Sequence, residues 1–150
     1  FNIEEVPVIG AKAAGVKAIN LKKDDVLAAA FIANTDSLYL LTQRGSLKRM
    51  AVADIPVTSR ANRGLQVLRE LKAKPHRVFA AGPVFGEAVD FDLFTTEAEA
   101  SEEQILQVLS NKGTAYEINL ADLSLSERTS NGSFISDTIS DEEVFSAYIK

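Results

Sequence analysis

Apolar residues along the chain fall in short runs separated by polar or glycine-containing breaks, a spacing that suits strands better than helices. Val26 to Ala33 is an apolar run of eight residues, bounded by Lys22-Lys23-Asp24-Asp25 and by Asn34-Thr35-Asp36. Its length suits a buried strand, and its three consecutive alanines leave a helix open. Leu38 to Thr42, rich in Leu and Tyr, predicts a strand, and Gln43-Arg44-Gly45 predicts a turn. Leu47 to Val52 then predicts the returning strand of a hairpin, with Gly45 where positive φ is needed. Asp54-Ile55-Pro56 breaks the pattern and opens a polar connection through Ser59, Arg60, Asn62 and Arg63. Three further runs look extended, each following a glycine: Val16 to Leu21, Leu65 to Leu71 and Ser133 to Ile139.

The pattern repeats. Leu41-Thr42-Gln43-Arg44-Gly45 matches Leu109-Ser110-Asn111-Lys112-Gly113 at an offset of 68, which also carries Asp54-Ile55 onto Asp122-Leu123, Arg60 onto Arg128 and Gly64 onto Gly132. Val6-Pro7-Val8 matches Ile55-Pro56-Val57 at an offset of 49, the same shift that takes Gly15 to Gly64. The shared glycines recur at turn positions, so their role is conformational. The longer copy carries most of its excess between Val78 and Ile105, an acidic excursion with Glu97, Glu99, Glu102 and Glu103. A strand over Val89 to Thr95 and a short helix over Ala98 to Gln104 are both open there. About four short strands per unit is the period of a propeller-type blade. The units divide as the end of a preceding blade (1–14), a blade (15–63), a blade with the acidic insertion (64–131) and the start of the next (132–150). Two units and part of a third do not close a ring, so an open arrangement or a fragment is expected.

Composition narrows the chemistry. A chain of 150 residues, 46% hydrophobic and 25% charged, is ordinary for a soluble single domain. No apolar run nears the roughly 18 residues of a membrane span, and the start does not resemble a signal peptide. Cysteine is absent, which removes disulfides, thiolate chemistry and cysteine zinc sites, and suits a reducing compartment. With one histidine, His76, and scattered carboxylates, no catalytic triad, multi-histidine metal site or stand-alone active site can be assembled. The net charge of −5 taken alone argues against a polyanion partner, but it is unevenly spread. Residues 1–78 hold 13 Lys/Arg against 7 Asp/Glu, a net of +6; residues 79–150 hold 3 against 14, a net of −11. Such asymmetry hints at polyanion contact by the basic part.

Gly15-Val16-Lys17-Ala18-Ile19-Asn20-Leu21, then Asp25-Val26-Leu27, then Thr42-Gln43-Arg44-Gly45-Ser46-Leu47-Lys48-Arg49, then the return from Arg60 to Gly64, resembles the repeat of type IIA topoisomerase A subunits. The match is to their C-terminal domain, in bacterial topoisomerase IV most nearly, with that of gyrase as the close alternative. The resemblance implies an all-β fold, a β-pinwheel of four-stranded antiparallel blades that exchange strands, here about two to three of them. It implies sequence-independent binding or bending of double-stranded DNA at a basic rim. It also implies a longer cytoplasmic, nucleoid-associated protein whose catalytic core, ATPase B subunit, ATP and Mg lie outside this segment, which itself needs no cofactor and no metal. The gyrase-type Gln-Arg-Arg-Gly-Gly-Lys-Gly box is not present, which favours the topoisomerase IV side.

The residues expected to meet phosphates are Arg44, Lys48 and Arg49 on and beyond the hairpin turn, Arg63 on the return loop, Lys22 and Lys23, and Lys72, Lys74 and Arg77 around Pro75. Basic side chains on a rim neutralise phosphates without reading bases, because the backbone charge is the same for every sequence. Arg60 and Arg128 are expected in ion pairs with Asp54 and Asp122. Tyr116-Glu117 replaces Lys48-Arg49 in the later copy, so that blade loses the basic signature. The competing reading is a propeller-type protein-interaction module that uses the acidic half and has no DNA role.

Overall fold

The computed structural model describes residues 1–85 and 103–150. The segments left open as a strand, Val89–Thr95, or a short helix, Ala98–Gln104, lie outside those residues except for Glu103 and Gln104, as do Glu97, Glu99 and Glu102. Among the described residues the regular elements are strands and short 3-10 turns, with no α-helix. The strands are β1 (Ser37–Thr42), β2 (Ser46–Ala51), β3 (Val78–Val84), β4 (Ile105–Ser110), β5 (Ala115–Asn119), β6 (Ser133–Phe134) and β7 (Val144–Ile149). They make two antiparallel sheets, one ordered β3-β1-β2-β6 and the other β5-β4-β7.

Both sheets are built from the same hairpin. In the first, Ser37 pairs with Ala51 and Leu41 with Leu47 around a tight turn, closed by Gly45 N–H donating to the Thr42 carbonyl at 2.9 Å. In the second, Ile105 pairs with Asn119 and Leu109 with Ala115, and Gly113 N–H donates to the Ser110 carbonyl at 3.0 Å. The expected hairpin is therefore present, and the repeat is structural. All five glycines that the repeat aligns, Gly15, Gly45, Gly64, Gly113 and Gly132, have φ between 73° and 87°. At Gly45 the need is double, because a Cβ there would also run into the Ile139 side chain. A bulge falls at Leu41/Thr42 where β1 meets β3, and at Leu109/Ser110 where β4 meets β7.

One core serves both sheets. Tyr39, Leu41 and Leu47 of the first pack in the same cluster as Leu106, Val108 and Val144 of the second, with Val84 and Leu120 completing it. β1 is buried at all six positions, which is why Leu38 to Leu41 reads as a continuous apolar run and not as an alternation. Val144 N–H donates to the Gln43 carbonyl at 2.8 Å and so ties β7 of one sheet to the hairpin turn of the other.

The other extended runs turn out differently. Val16–Leu21, Val26–Ala33 and Leu65–Leu71 form no strand, and Ser133–Ile139 forms one only at Ser133–Phe134. Val26 is 86% exposed and Leu27 61%, so Val26 to Ala33 is not a buried strand here. The return loops hold two of these runs instead. Arg60 Nη1 donates to the Lys17 carbonyl at 2.5 Å, and Arg128 Nη1 to the Gln66 carbonyl at 2.5 Å, each carbonyl lying two residues past its glycine. The expected ion pairs of Arg60 with Asp54 and Arg128 with Asp122 do not form among the described residues. Backbone outside a sheet has carbonyls to satisfy, and the guanidinium groups supply the donors.

Candidate nucleic-acid interface

The β1–β2 turn gathers the basic side chains because Gln43 binds the chain segment that precedes β3. Gln43 Nε2 donates to the Pro75 carbonyl at 2.9 Å, its Oε1 accepts Arg77 N–H at 2.5 Å, and its own N–H donates to the Arg77 carbonyl at 3.0 Å. Segment 74–77 is thereby fixed against the turn, with Lys74 held in the left-handed region at φ 51°. Arg44 Nη1 donates to the Lys74 carbonyl at 3.0 Å.

Arg44 is positioned further by His76. Its Nη1 lies 3.0 Å from His76 Nε2, and an arginine N–H can only donate, so Nε2 accepts. The ring proton then belongs on Nδ1, 3.1 Å from the Thr42 hydroxyl oxygen, which also accepts Ser46 N–H at 3.1 Å. Burial first, and the neighbouring Arg44 charge second, hold His76 below the usual imidazole value and keep it neutral. The Arg44 guanidinium lies 5.6 Å from the centroid of the Phe134 ring, within cation–π range. Both Nη1 hydrogens are thus used, while Nε and Nη2 have no partner among the described residues.

An open groove of about 610 Å³ is lined by a basic group, Arg44, Lys74 and Arg77, and by an acidic one, Asp141, Glu142 and Glu143. The acidic wall is the second sheet's counterpart of the basic one. Asn111 holds Glu143 as Gln43 holds Arg77: its Oδ1 accepts Glu143 N–H at 3.2 Å and its N–H donates to the Glu143 carbonyl at 2.9 Å. The same scaffold therefore presents Arg77 in one copy and Glu143 in the other.

The remaining expected phosphate contacts are placed elsewhere. Lys48 is 2% exposed, and its Nζ donates to the carbonyls of Val67 (2.5 Å), Arg128 (2.6 Å) and Ser130 (2.8 Å), which uses all three of its hydrogens. It is a buried tie between β2 and the return loop, with no donor left for a phosphate. Desolvation, and after it the Arg128 charge, lower its pKa to about 8. Arg49 is half-buried and its Nε donates to the Ser37 hydroxyl at 2.8 Å. Lys22, Lys23, Arg63 and Lys72 are exposed but do not line the groove. Sequence reasoning missed Gln43, His76 and Phe134 as positioning residues. The Gln43/Asn111 match at the repeat offset was a usable signal for the first; nothing local marks the other two. Among the described residues no cluster of three or more His, Asp or Glu is arranged to hold a metal.

A family model of the DNA gyrase C-terminal domain, a beta-propeller, matches residues 1–34 and 36–84. The chain is 69% identical over 150 residues to the DNA topoisomerase 4 A subunit of Streptococcus pneumoniae serotype 4 (strain ATCC BAA-334 / TIGR4), covering 100% of the chain and 18% of that protein. It is 44% identical over 138 residues to the DNA topoisomerase 4 A subunit of Bacillus subtilis (strain 168), covering 91% of the chain and 15% of that protein. Among solved structures, the C-terminal domain of DNA topoisomerase IV matches with a TM-score of 0.76 at 33% identity, over 97% of this chain and 41% of that one. The DNA gyrase A C-terminal domain matches with a TM-score of 0.71 over 99% of this chain and 45% of that one; at 17% identity this is a likeness of fold. The chain spans less than a fifth of the length of these two curated relatives.

Proposed function

Because the chain belongs to the gyrase-type C-terminal beta-propeller family and aligns throughout with topoisomerase 4 A subunits, we propose that it holds duplex DNA by its phosphates, without reading sequence. It bends or presents that duplex to the strand-passage core of a longer, cytoplasmic protein. The segment is non-catalytic on this reading, with ATP and Mg used elsewhere, on the core and the ATPase B subunit. Residues 15–63 and 64–131 are its blade units, flanked by parts of two others.

The observation that carries the reading is the clustering of Arg44, Lys74 and Arg77 at one hairpin tip, none of them in an ion pair among the described residues. Arg44 is pre-oriented by His76 and Phe134, so little side-chain entropy remains to be lost when a phosphate docks. These groups recognise backbone charge, which is the same for every sequence.

Fluorescence anisotropy with a short duplex of arbitrary sequence tests it. Three neutralised phosphates give a slope of log affinity on log salt of about −3, and recruiting the exposed lysines steepens it toward about −5. The triple change Arg44→Gln, Lys74→Gln and Arg77→Gln flattens the slope by about 3. A chain that binds no duplex at low salt, or a triple variant that binds as before, would overturn the reading. The first outcome would favour a protein partner for the acidic wall.

A further inference from the structure

A second polar cavity, of about 440 Å³, opens beside the return loop of the second repeat and is lined by Arg69, Ser126, Ser130, Asn131 and Ser133 among others. No carboxylate is among its lining residues. Ser130 joins the cavity to the buried cation: it lines the cavity, and its carbonyl is one of the three that hold the Lys48 ammonium. All three partners of that ammonium are neutral, and the nearby Arg128 guanidinium rests on another neutral carbonyl. The wall therefore carries positive charge that no side chain of the described residues offsets by an ion pair. A cation held away from water by dipoles alone favours an anion close by.

The donors match that field. Arg69 is exposed, with its backbone fixed by an N–H bond of 2.8 Å to Asn131 Oδ1. Three serines line the same cavity, and the Ser130 hydroxyl is buried with no partner among the described residues. A guanidinium beside several hydroxyls supplies donors from more than one direction, which suits a tetrahedral oxyanion better than a planar carboxylate.

We propose that this cavity is a phosphate subsite, taking one phosphate group of a DNA backbone or of free orthophosphate through Arg69, Ser126, Ser130 and Ser133. The backbone source rests on the DNA reading above; the subsite itself does not.

The test is a ¹H–¹⁵N titration of the chain with sodium phosphate, against sodium chloride at matched ionic strength, followed by a short duplex. The amides of Arg69, Asn131, Gly132 and Ser133 are expected to shift saturably with phosphate and not with chloride. Arg69→Gln is expected to weaken phosphate about tenfold, as the loss of a charge-assisted hydrogen bond, and Ser126→Ala is a milder second variant. If the duplex moves the same amides, the backbone is the source. If phosphate moves them and the duplex does not, the subsite stands as one for free phosphate. If neither moves them while the duplex still shifts Arg44 and Arg77, the proposal is overturned and the DNA reading survives. Shifts that fail to saturate, or that Arg69→Gln leaves unchanged, overturn it as well.

Discussion

At the scale of single residues, the informative contrast is between Lys48 and Arg49. Successive strand residues point to opposite faces, so a Lys-Arg pair in β2 cannot place both charges on one surface. Lys48 goes inward and Arg49 only half outward, whereas the sequence shows two equivalent cations. What decides between them is the return loop, whose carbonyls at Arg128 and Ser130 lie 80 and 82 residues away along the chain. No local pattern carries that information. His76 is the converse case, a residue without a partner in its own stretch that holds Arg44 from 32 residues away. Its geometry makes a pH prediction. The folded chain holds His76 below the ordinary value of 6.5, so the unfolded chain takes up the proton first as pH falls. The stability contributed by the neutral ring is present in full above about 6.5 and is lost as pH drops through the folded value. His76 is the chain's one imidazole, so its Hε1 resonance titrates without overlap. The midpoint is expected below 6.5, and Arg44→Ala should raise it by removing the neighbouring charge. A midpoint at or above 6.5 in the parent chain would rule out an acceptor role for Nε2.

At the scale of elements, the chain uses one device twice with opposite charge. The amide side chain after each bulge, Gln43 or Asn111, holds a basic segment in the first sheet and an acidic one in the second. The hairpins themselves were legible: the apolar runs, the turn glycines and the repeat offset locate β1, β2 and the β4–β5 turn. β3 and β7 were not, nor was the fate of Val16–Leu21, Val26–Ala33 and Leu65–Leu71. An apolar run shows that a segment suits a sheet, but not which edge is free to receive it, and a run with no partner strand stays unpaired. Of the candidate site, the basic turn and the run around Pro75 were legible, but their convergence depends on the grip of Gln43. The acidic wall has a consequence of its own. Asp141, Glu142 and Glu143 share the groove with Arg44, Lys74 and Arg77, so they repel a phosphate arriving there. Changing the three to Asn, Gln and Gln should tighten duplex binding about threefold or more at 0.01 M salt, where the Debye length is about 30 Å. The gain should shrink toward 0.15 M, where that length is about 8 Å. A variant that binds no more tightly than the parent at either salt would place the bound phosphates beyond reach of the wall.

For the whole molecule, the question is whether two sheets that share a repeat also share their stability. A string of independent blades would let each open by itself, as in solenoid arrays where stability is close to a sum over neighbours. The packing argues otherwise here, because Leu106 of the second sheet and Leu41 of the first lie in one buried cluster and both are fully shielded from solvent. The bond from Val144 N–H to the Gln43 carbonyl makes the first sheet's turn depend on a strand of the second. That turn also positions Arg44, so the basic tip inherits the stability of the acidic half. Leu106→Ala should therefore cost about 2–5 kcal/mol, the range for a buried leucine truncated without collapse of its site. Native-state hydrogen exchange reads where that cost appears. In one cooperative unit, the slowest amides of β1 and β2 lose as much protection as those of β4 and β5, and Leu41→Ala gives the mirror result. If Leu106→Ala frees β4 and β5 while β1 and β2 keep their protection, the sheets fold separately. The groove between the basic and acidic walls would then be a junction that can open, with the charge of one wall no longer tied to the position of the other.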